Sequence, residues 1–188
     1  MAADPAALGF DQTAFDKAKA DLEAEVKAGR IPGAVLLVAK GGQVVNVTAV
    51  GTEGPGDADP MTAETIFRIY SMTKPITSVA AMQLMEEGKL ALEDPLSKYI
   101  PEFASPKVLV GKGVTRPAAR EITIRDLLSH ESGLIYGFFD QQSELGKMYM
   151  AAGDTRFDFA ALDLSKAIAA LPLESDPGST WRYSRSTD

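Results

Sequence analysis

The sequence contains no cysteine and only one histidine, and both shortages restrict its chemistry. Without cysteine, the chain has no disulfide, no thiolate metal site and no cysteine nucleophile. A single histidine, His130, cannot build a histidine-rich metal site, and a Ser-His-Asp mechanism would depend on it alone. No stretch approaches the ~18 apolar residues that suggest a membrane span. The residues therefore offer no ligand cluster that suggests a metal or an organic cofactor.

Positive charge is also scarce, since 19 Lys and Arg stand against 26 Asp and Glu, for a net charge of −7. This balance argues against nucleic acid and anionic membranes as partners. Residues 1–5 show no basic region followed by an apolar run, so they do not resemble a secretory signal, and the simplest location is the cytoplasm. A chain of 188 residues that is 45% hydrophobic is long enough for one domain or for two lobes.

The first ninety residues predict a helix, a hairpin and a second helix. Apolar residues recur at three- and four-residue steps over residues 10–29, which is typical of an amphipathic helix. Two β-branched runs within residues 34–50 flank a Gly-Gly turn and predict a β-hairpin. The first of these strands is apolar on both faces, so we expect it to be central and covered. Residues 65–69 suggest a short strand that leads into a helix over residues 71–88, whose apolar residues indicate burial in a core.

The second half of the sequence is predicted to be mostly helical. Residues 92–103 suggest a turn and a short helix, and residues 104–121 a solvent-exposed basic loop. Thr123 is placed to cap another short helix. Residues 140–152 and 157–171 each indicate a helix.

Ser71 and Lys74 are the candidate catalytic pair. Residues three apart share one face of a helix, so the serine hydroxyl and the lysine amine can meet. A serine hydroxyl needs a base beside it to act as a nucleophile, and a lysine can serve if its pKa is lowered. The alternative is a serine that caps a helix, followed by a solvated lysine. The backbone N–H of Ser71, at a helix N-terminus, is a candidate oxyanion donor.

Three further segments accompany this pair: Asp94-Pro95-Leu96-Ser97-Lys98-Tyr99-Ile100-Pro101, Leu127-Leu128-Ser129-His130-Glu131-Ser132-Gly133-Leu134 and Trp181-Arg182-Tyr183-Ser184. Together with Ser-x-x-Lys they resemble the serine β-lactamase and penicillin-binding-protein superfamily, and most closely the family VIII carboxylesterases, which are similar to class C β-lactamases. The resemblance spans nearly all of the chain but only about the first half of a family member.

The resemblance implies an α+β fold in which helices flank an antiparallel sheet and a mostly helical domain covers the site. Residues 1–90 would form the first part of the α/β domain and residues 91–188 the helical domain, while the sheet stays incomplete in this chain. Tyr183 would join Ser71 and Lys74 as a second proton carrier, although a half-buried loop aromatic is the alternative. On the residues alone, His130 is expected to be a structural hydrogen-bonding residue rather than a catalyst, because the Ser71-Lys74 pair already supplies a different base. The family uses no metal or organic cofactor.

The activity that the resemblance implies is hydrolysis of carboxylic esters with short acyl chains through an acyl-enzyme on Ser71. The partners expected are a small-molecule ester and a second polypeptide that completes the fold. Many β-lactamases carry Tyr-x-Asn, but Arg185 stands at the Asn position here, which favours an esterase. The alternatives are a β-lactamase, a D-amino-acid peptidase or a penicillin-binding protein, and an inactive fragment that needs a C-terminal partner.

Overall fold

A computed structural model describes residues 3–154 and 160–188. The chain separates into two compact units, Met1–Arg68 and Ile69–Asp188. The domain boundary predicted near residue 90 concerns the complete protein and stays a prediction. The helices are α1 (Gln12–Lys27), α2 (Thr73–Glu86), α3 (Ile124–Leu128), α4 (Glu144–Ala151) and α5 (Ala161–Ala169), and the strands are β1 (Gly33–Lys40), β2 (Gln43–Gly51), β3 (Lys107–Gly111) and β4 (Val114–Pro117).

The first unit contains α1 and the β1–β2 hairpin, as the sequence predicts. The strands pair antiparallel, and the turn uses Gly41 and Gly42 at φ angles of 57° and 77°, which glycine adopts without strain. Helix α1 packs against β2, and Phe15 is its only buried residue. The prediction of a central, covered β1 is wrong for the described residues, because β1 has one neighbouring strand and Leu37 is 58% exposed.

The second unit carries α2 to α5 and the β3–β4 hairpin, and one apolar core joins the elements that follow α2. Thr123 caps α3 through a capping box with Asp126, which confirms the predicted cap. The first three residues of the helix predicted over 157–171 lie outside the described residues, and α5 accounts for its middle. The buried core residues are Leu96, Phe103, Val108, Ile122, Leu134, Ile135, Leu145, Tyr149, Ile168 and Leu173.

Three local predictions in these units are wrong. Residues 65–69 form no strand, so Ser71 is not at a strand-to-helix junction. Residues 107–117 form a hairpin where a loop was expected, because β-branched residues flank a tight turn at Gly111-Lys112-Gly113. The apolar residues of α2 are not buried as predicted, since Ile76 and Val79 are 61% and 59% exposed. The apolar positions share a face that the described residues leave open.

The described helices include none that is both long and apolar enough to cross a bilayer.

Candidate active site

Ser71 lies in a 3₁₀ turn, Tyr70–Met72, that runs directly into α2. Its side chain is exposed, as a nucleophile must be. Tyr70 immediately before it adopts a φ of 46°, a region that residues with a Cβ rarely occupy and that is found most often at functional sites. The first turn of a helix leaves backbone N–H groups without intrahelical acceptors, so the Ser71 N–H is available to an oxyanion.

Lys74 is the only buried residue of α2 and is 7% exposed. Its Nζ donates to the hydroxyl oxygen of Tyr136 over 2.7 Å and forms an ion pair with the carboxylate of Asp188. The same nitrogen lies 5.5 Å from the ring centroid of Tyr183. Lys74 is thus surrounded by one carboxylate and two tyrosine rings.

Tyr136 connects the two ends of that ion pair. Its hydroxyl accepts from Lys74 and donates to Oδ2 of Asp188 over 2.5 Å. Burial, followed by the hydrogen bond to Asp188 and then its negative charge, raises the pKa of Tyr136 well above its ordinary value of 10.0. The hydroxyl therefore stays protonated at neutral pH and keeps its donor for the carboxylate.

Arg185 occupies the position at which many β-lactamases carry asparagine. Its guanidinium forms an ion pair with Asp154, a fully buried carboxylate, and lies 5.3 Å from the ring centroid of Tyr136. Asp154 also accepts the backbone N–H of Phe138 over 3.3 Å. Arg185 is thus part of the site's framework, and its guanidinium replaces the amide group that an asparagine would offer to a substrate.

The segment that carries Tyr183 is held by a hydroxyl network that includes Ser132 from the loop after α3. The hydroxyl of Ser186 lies 2.7 Å from that of Ser132 and 2.6 Å from that of Ser184, and all three serines are buried. Ser132 belongs to the Ser-Gly-Leu sequence that contributed to the resemblance. Through this network, the Ser-Gly-Leu sequence holds the segment that contains Ser184 and Ser186 in place. His130 makes backbone and ring hydrogen bonds to the same segment, as the structural alternative for it predicts.

These side chains surround a cleft of about 400 Å³ within the second unit. Ser71 and Lys74 both line it, and Tyr183 lies behind Lys74. No hydrogen bond joins the Ser71 hydroxyl to Lys74 or Tyr183 among the contacts of the described residues. The described part of the chain also holds no cluster of three His, Asp or Glu side chains suited to a metal ion. The cleft is lined by Tyr70, Ser71, Lys74, Tyr136, Phe138, Asp154, Arg185 and Asp188.

A family model described as Beta-lactamase matches residues 18–188. The chain belongs to this family. Its fold is β-lactamase/transpeptidase-like, and the two small antiparallel sheets are incomplete relative to full-length relatives, as the resemblance implied.

Similar proteins include esterases. Protein Rv1367c of Mycobacterium tuberculosis is 38% identical over 93% of this chain and 43% of its own length. Esterase EstB of Burkholderia gladioli is 33% identical over 97% of this chain and 47% of its own. The solved structure of EstCE1, described as a hydrolase with promiscuous acyltransferase activity, superposes with a TM-score of 0.73 at 34% identity, over 91% of this chain and 44% of that one. The chain therefore spans less than half the length of these relatives.

The sequence indicated Ser71, Lys74 and Tyr183, and the structure places the lysine beside the tyrosine and in the same cleft as the serine. Sequence reasoning missed Tyr136, Asp154 and Asp188. These residues lie far from Lys74 in sequence and belong to no spacing pattern. Only the folded chain reveals them.

Proposed function

We propose that this chain carries the nucleophile-bearing part of a serine hydrolase that cleaves carboxylic esters with short acyl chains. The observation that carries the proposal is the burial of Lys74 between Asp188, Tyr136 and Tyr183, three residues after an exposed serine. A buried lysine beside two tyrosines and a nucleophile is suited to moving a proton. Family membership and similarity to Esterase EstB support the same reaction class.

In the proposed reaction, Ser71 Oγ attacks the ester carbonyl carbon while its proton passes to Tyr183. Lys74, beside the ring, stabilises the phenolate form of Tyr183, which becomes a neutral phenol when it accepts this proton. The Ser71 N–H stabilises the oxyanion of the tetrahedral intermediate. The carbonyl carbon to alkoxide bond then breaks, and the alcohol leaves with the proton from Tyr183. Water repeats the cycle on the acyl-enzyme and releases the acid.

Arg185 favours ester over amide substrates in this proposal. Its guanidinium is engaged by Asp154, so the site lacks the side-chain amide that the resemblance associates with β-lactam binding. We therefore expect rapid turnover of p-nitrophenyl acetate and a slowly hydrolysed acyl-enzyme with penicillin. The reverse order would favour a β-lactamase, a D-amino-acid peptidase or a penicillin-binding protein.

We further propose that full activity needs polypeptide that corresponds to the other half of the relatives. Two features of the described residues support this: β1 is apolar on both faces but has one neighbouring strand, and the apolar face of α2 is exposed. Unpaired apolar strand edges recruit other strands or aggregate. A second polypeptide or a longer chain would supply the missing neighbours and a second oxyanion donor.

The test compares the 188-residue chain with a fusion to the part of Esterase EstB that it does not match. We expect p-nitrophenyl acetate turnover by the fusion and little by the chain alone. Ser71→Ala should abolish turnover, whereas Ser78→Ala, in the helix α2 that follows Ser71, should retain it. Equal losses in both variants would contradict the assignment of Ser71. Turnover by the chain alone at ~1–10³ s⁻¹ would contradict the need for further polypeptide.

A further inference from the structure

The backbone on both sides of Tyr183 is bonded to one residue, His130. The His130 carbonyl oxygen accepts the N–H of Arg182 over 2.8 Å, and its ring Nδ1 accepts the N–H of Ser184 over 3.2 Å. The imidazole also packs against the Tyr183 ring, with 4.8 Å between the centroids. No other residue in the described chain contacts this tyrosine and both of its neighbours in this way.

The hydrogen bond from Ser184 determines the protonation state of the imidazole. A backbone N–H can only donate, so Nδ1 must be an unprotonated acceptor and Nε2 must carry the proton of the neutral ring. Protonation would place a second donor at Nδ1, facing the Ser184 N–H, and the bond would be lost. The other bond, to the His130 carbonyl, would remain.

The backbone of His130 supports a dedicated role. Its φ is 60°, in the left-handed region that favours glycine and asparagine, so the chain bends sharply here to present both acceptors. With its carbonyl oxygen on one side and its ring nitrogen on the other, His130 accepts a hydrogen bond from the residue before Tyr183 and from the residue after it. The bracketed residue is the tyrosine that moves the proton in the proposed reaction.

We infer that His130 is a positioning residue for Tyr183: while neutral it clamps the backbone on both sides of the tyrosine, and protonation of Nδ1 releases the Ser184 side. This inference rests on the proposed function for its catalytic consequence but not for the clamp itself. The groups that face the imidazole are Lys74 of α2, Asp188 and the Tyr183 phenol.

These neighbours favour the clamped state at neutral pH. Burial, followed by the positive charge of Lys74, lowers the pKa of His130 below its ordinary value of 6.5, and the carboxylate of Asp188 opposes that shift in part. The histidine is therefore neutral in the folded chain at pH 7. Most molecules therefore hold the clamp at pH 6.5 and above, and it is lost as the pH falls through the lower pKa of the folded state.

The single histidine makes the clamp directly observable. In chain labelled with ¹⁵N-histidine, the one imidazole should appear as the Nε2–H form at pH 7.5 and titrate with a midpoint below 6.5. The backbone amide of Ser184 and the ring Cζ of Tyr183, assigned through Tyr183→Phe, should shift with the same midpoint. A ring protonated at Nδ1, or a titration that leaves Ser184 and Tyr183 unmoved, would overturn the inference.

Two variants of equal side-chain size separate the acceptor from the bulk of the ring. His130→Asn keeps an acceptor near the position of Nδ1 and tolerates the left-handed backbone, so Tyr183 should stay in place but no longer respond between pH 5 and 7. His130→Leu removes the acceptor, and Tyr183 should show the low-pH signal at every pH. A Tyr183 signal that still titrates in His130→Asn would overturn the inference, even if His130→Leu fails to fold.

Ester turnover provides a separate readout. In active protein, the acid limb of the pH profile of kcat should follow the midpoint of the His130 titration. This limb should vanish in His130→Asn. In His130→Leu, kcat should fall about three- to tenfold. An unchanged acid limb in His130→Asn would overturn the positioning role. A fusion to the unmatched part of Esterase EstB that shows the NMR signature but hydrolyses no ester retains the clamp and contradicts the proposed function instead.

Discussion

Tyr136→Phe tests the buried contact network around Lys74. The substitution removes one oxygen, which accepts from Lys74 over 2.7 Å and donates to Asp188 over 2.5 Å, and leaves the ring in place. Hydrogen bonds to charged groups contribute about 1.5–3 kcal/mol each. The side chain of Asp188 is 35% exposed, so water can replace the bond on that side, whereas that of Lys74 is 8% exposed. We therefore expect Tyr136→Phe to lower the free energy of unfolding by about 1.5–3 kcal/mol, the contribution of the one hydrogen bond that water cannot replace.

The measurement is urea unfolding of the 188-residue chain. The fluorescence of its single tryptophan, Trp181, monitors the unit Ile69–Asp188. Trp181 lies 6.5 Å from His130 between ring centroids, so it reports on this region. A double-mutant cycle with Asp188→Asn should give a coupling energy of about 0.5–3 kcal/mol, as for residues in one network.

Tyr99→Phe is the matched control. Its hydroxyl also donates to a carboxylate, that of Asp94, over 2.6 Å, but Tyr99 is 41% exposed. Water can replace this bond, so the control should lose much less stability than Tyr136→Phe. Equal effects of the two substitutions, or additive effects of Tyr136→Phe and Asp188→Asn, would refute the reasoning that burial makes this network strong.

The remaining predictions concern catalysis, a helix cap and a tight turn. Lys74→Ala and Tyr183→Phe should each abolish most ester hydrolysis without unfolding the protein, and the double variant should be little worse; near-normal kcat in either would contradict its role. Thr123→Ala should lower the free energy of unfolding by about 0.5–2 kcal/mol in urea, because the α3 cap is lost. Gly133→Ala should cost about 2–5 kcal/mol, since φ is 81° and a Cβ would lie 2.3 Å from a backbone oxygen. Gly88→Ala, with φ of 70° and open space, should cost less in the same assay.

The sequence predicted those parts of the fold in which local chemistry decides the structure. The β1–β2 hairpin follows from β-branched runs around Gly41 and Gly42, and the α3 cap follows from the position of Thr123. Hairpin β3–β4 carried a comparable signal at residues 107–117, but its basic residues and glycines favoured a loop. The burial of α2 was predicted wrongly because apolar periodicity shows which face is apolar without showing what covers it.

The candidate site could be predicted only where its residues lie close together in sequence. Ser71 and Lys74 lie three residues apart, in the turn that runs into α2 and in its first turn, and Tyr183 came from the family resemblance. Tyr136 and Asp188 meet Lys74 only because the chain folds back over α2, and no periodicity encodes that contact. The contact of the Asp188 carboxylate with Lys74 was thus invisible in the sequence.

Covalent labelling of Ser71 tests the central claim most directly. The chain, and its fusion to the unmatched part of Esterase EstB, would be treated with a fluorophosphonate, digested, and mapped by mass spectrometry. We expect one adduct, on Ser71. It should be lost in Ser71→Ala and retained in Ser78→Ala, and it should form more slowly in Lys74→Ala. An adduct on any other serine, or labelling of Ser71 that Lys74→Ala leaves unchanged, would contradict it.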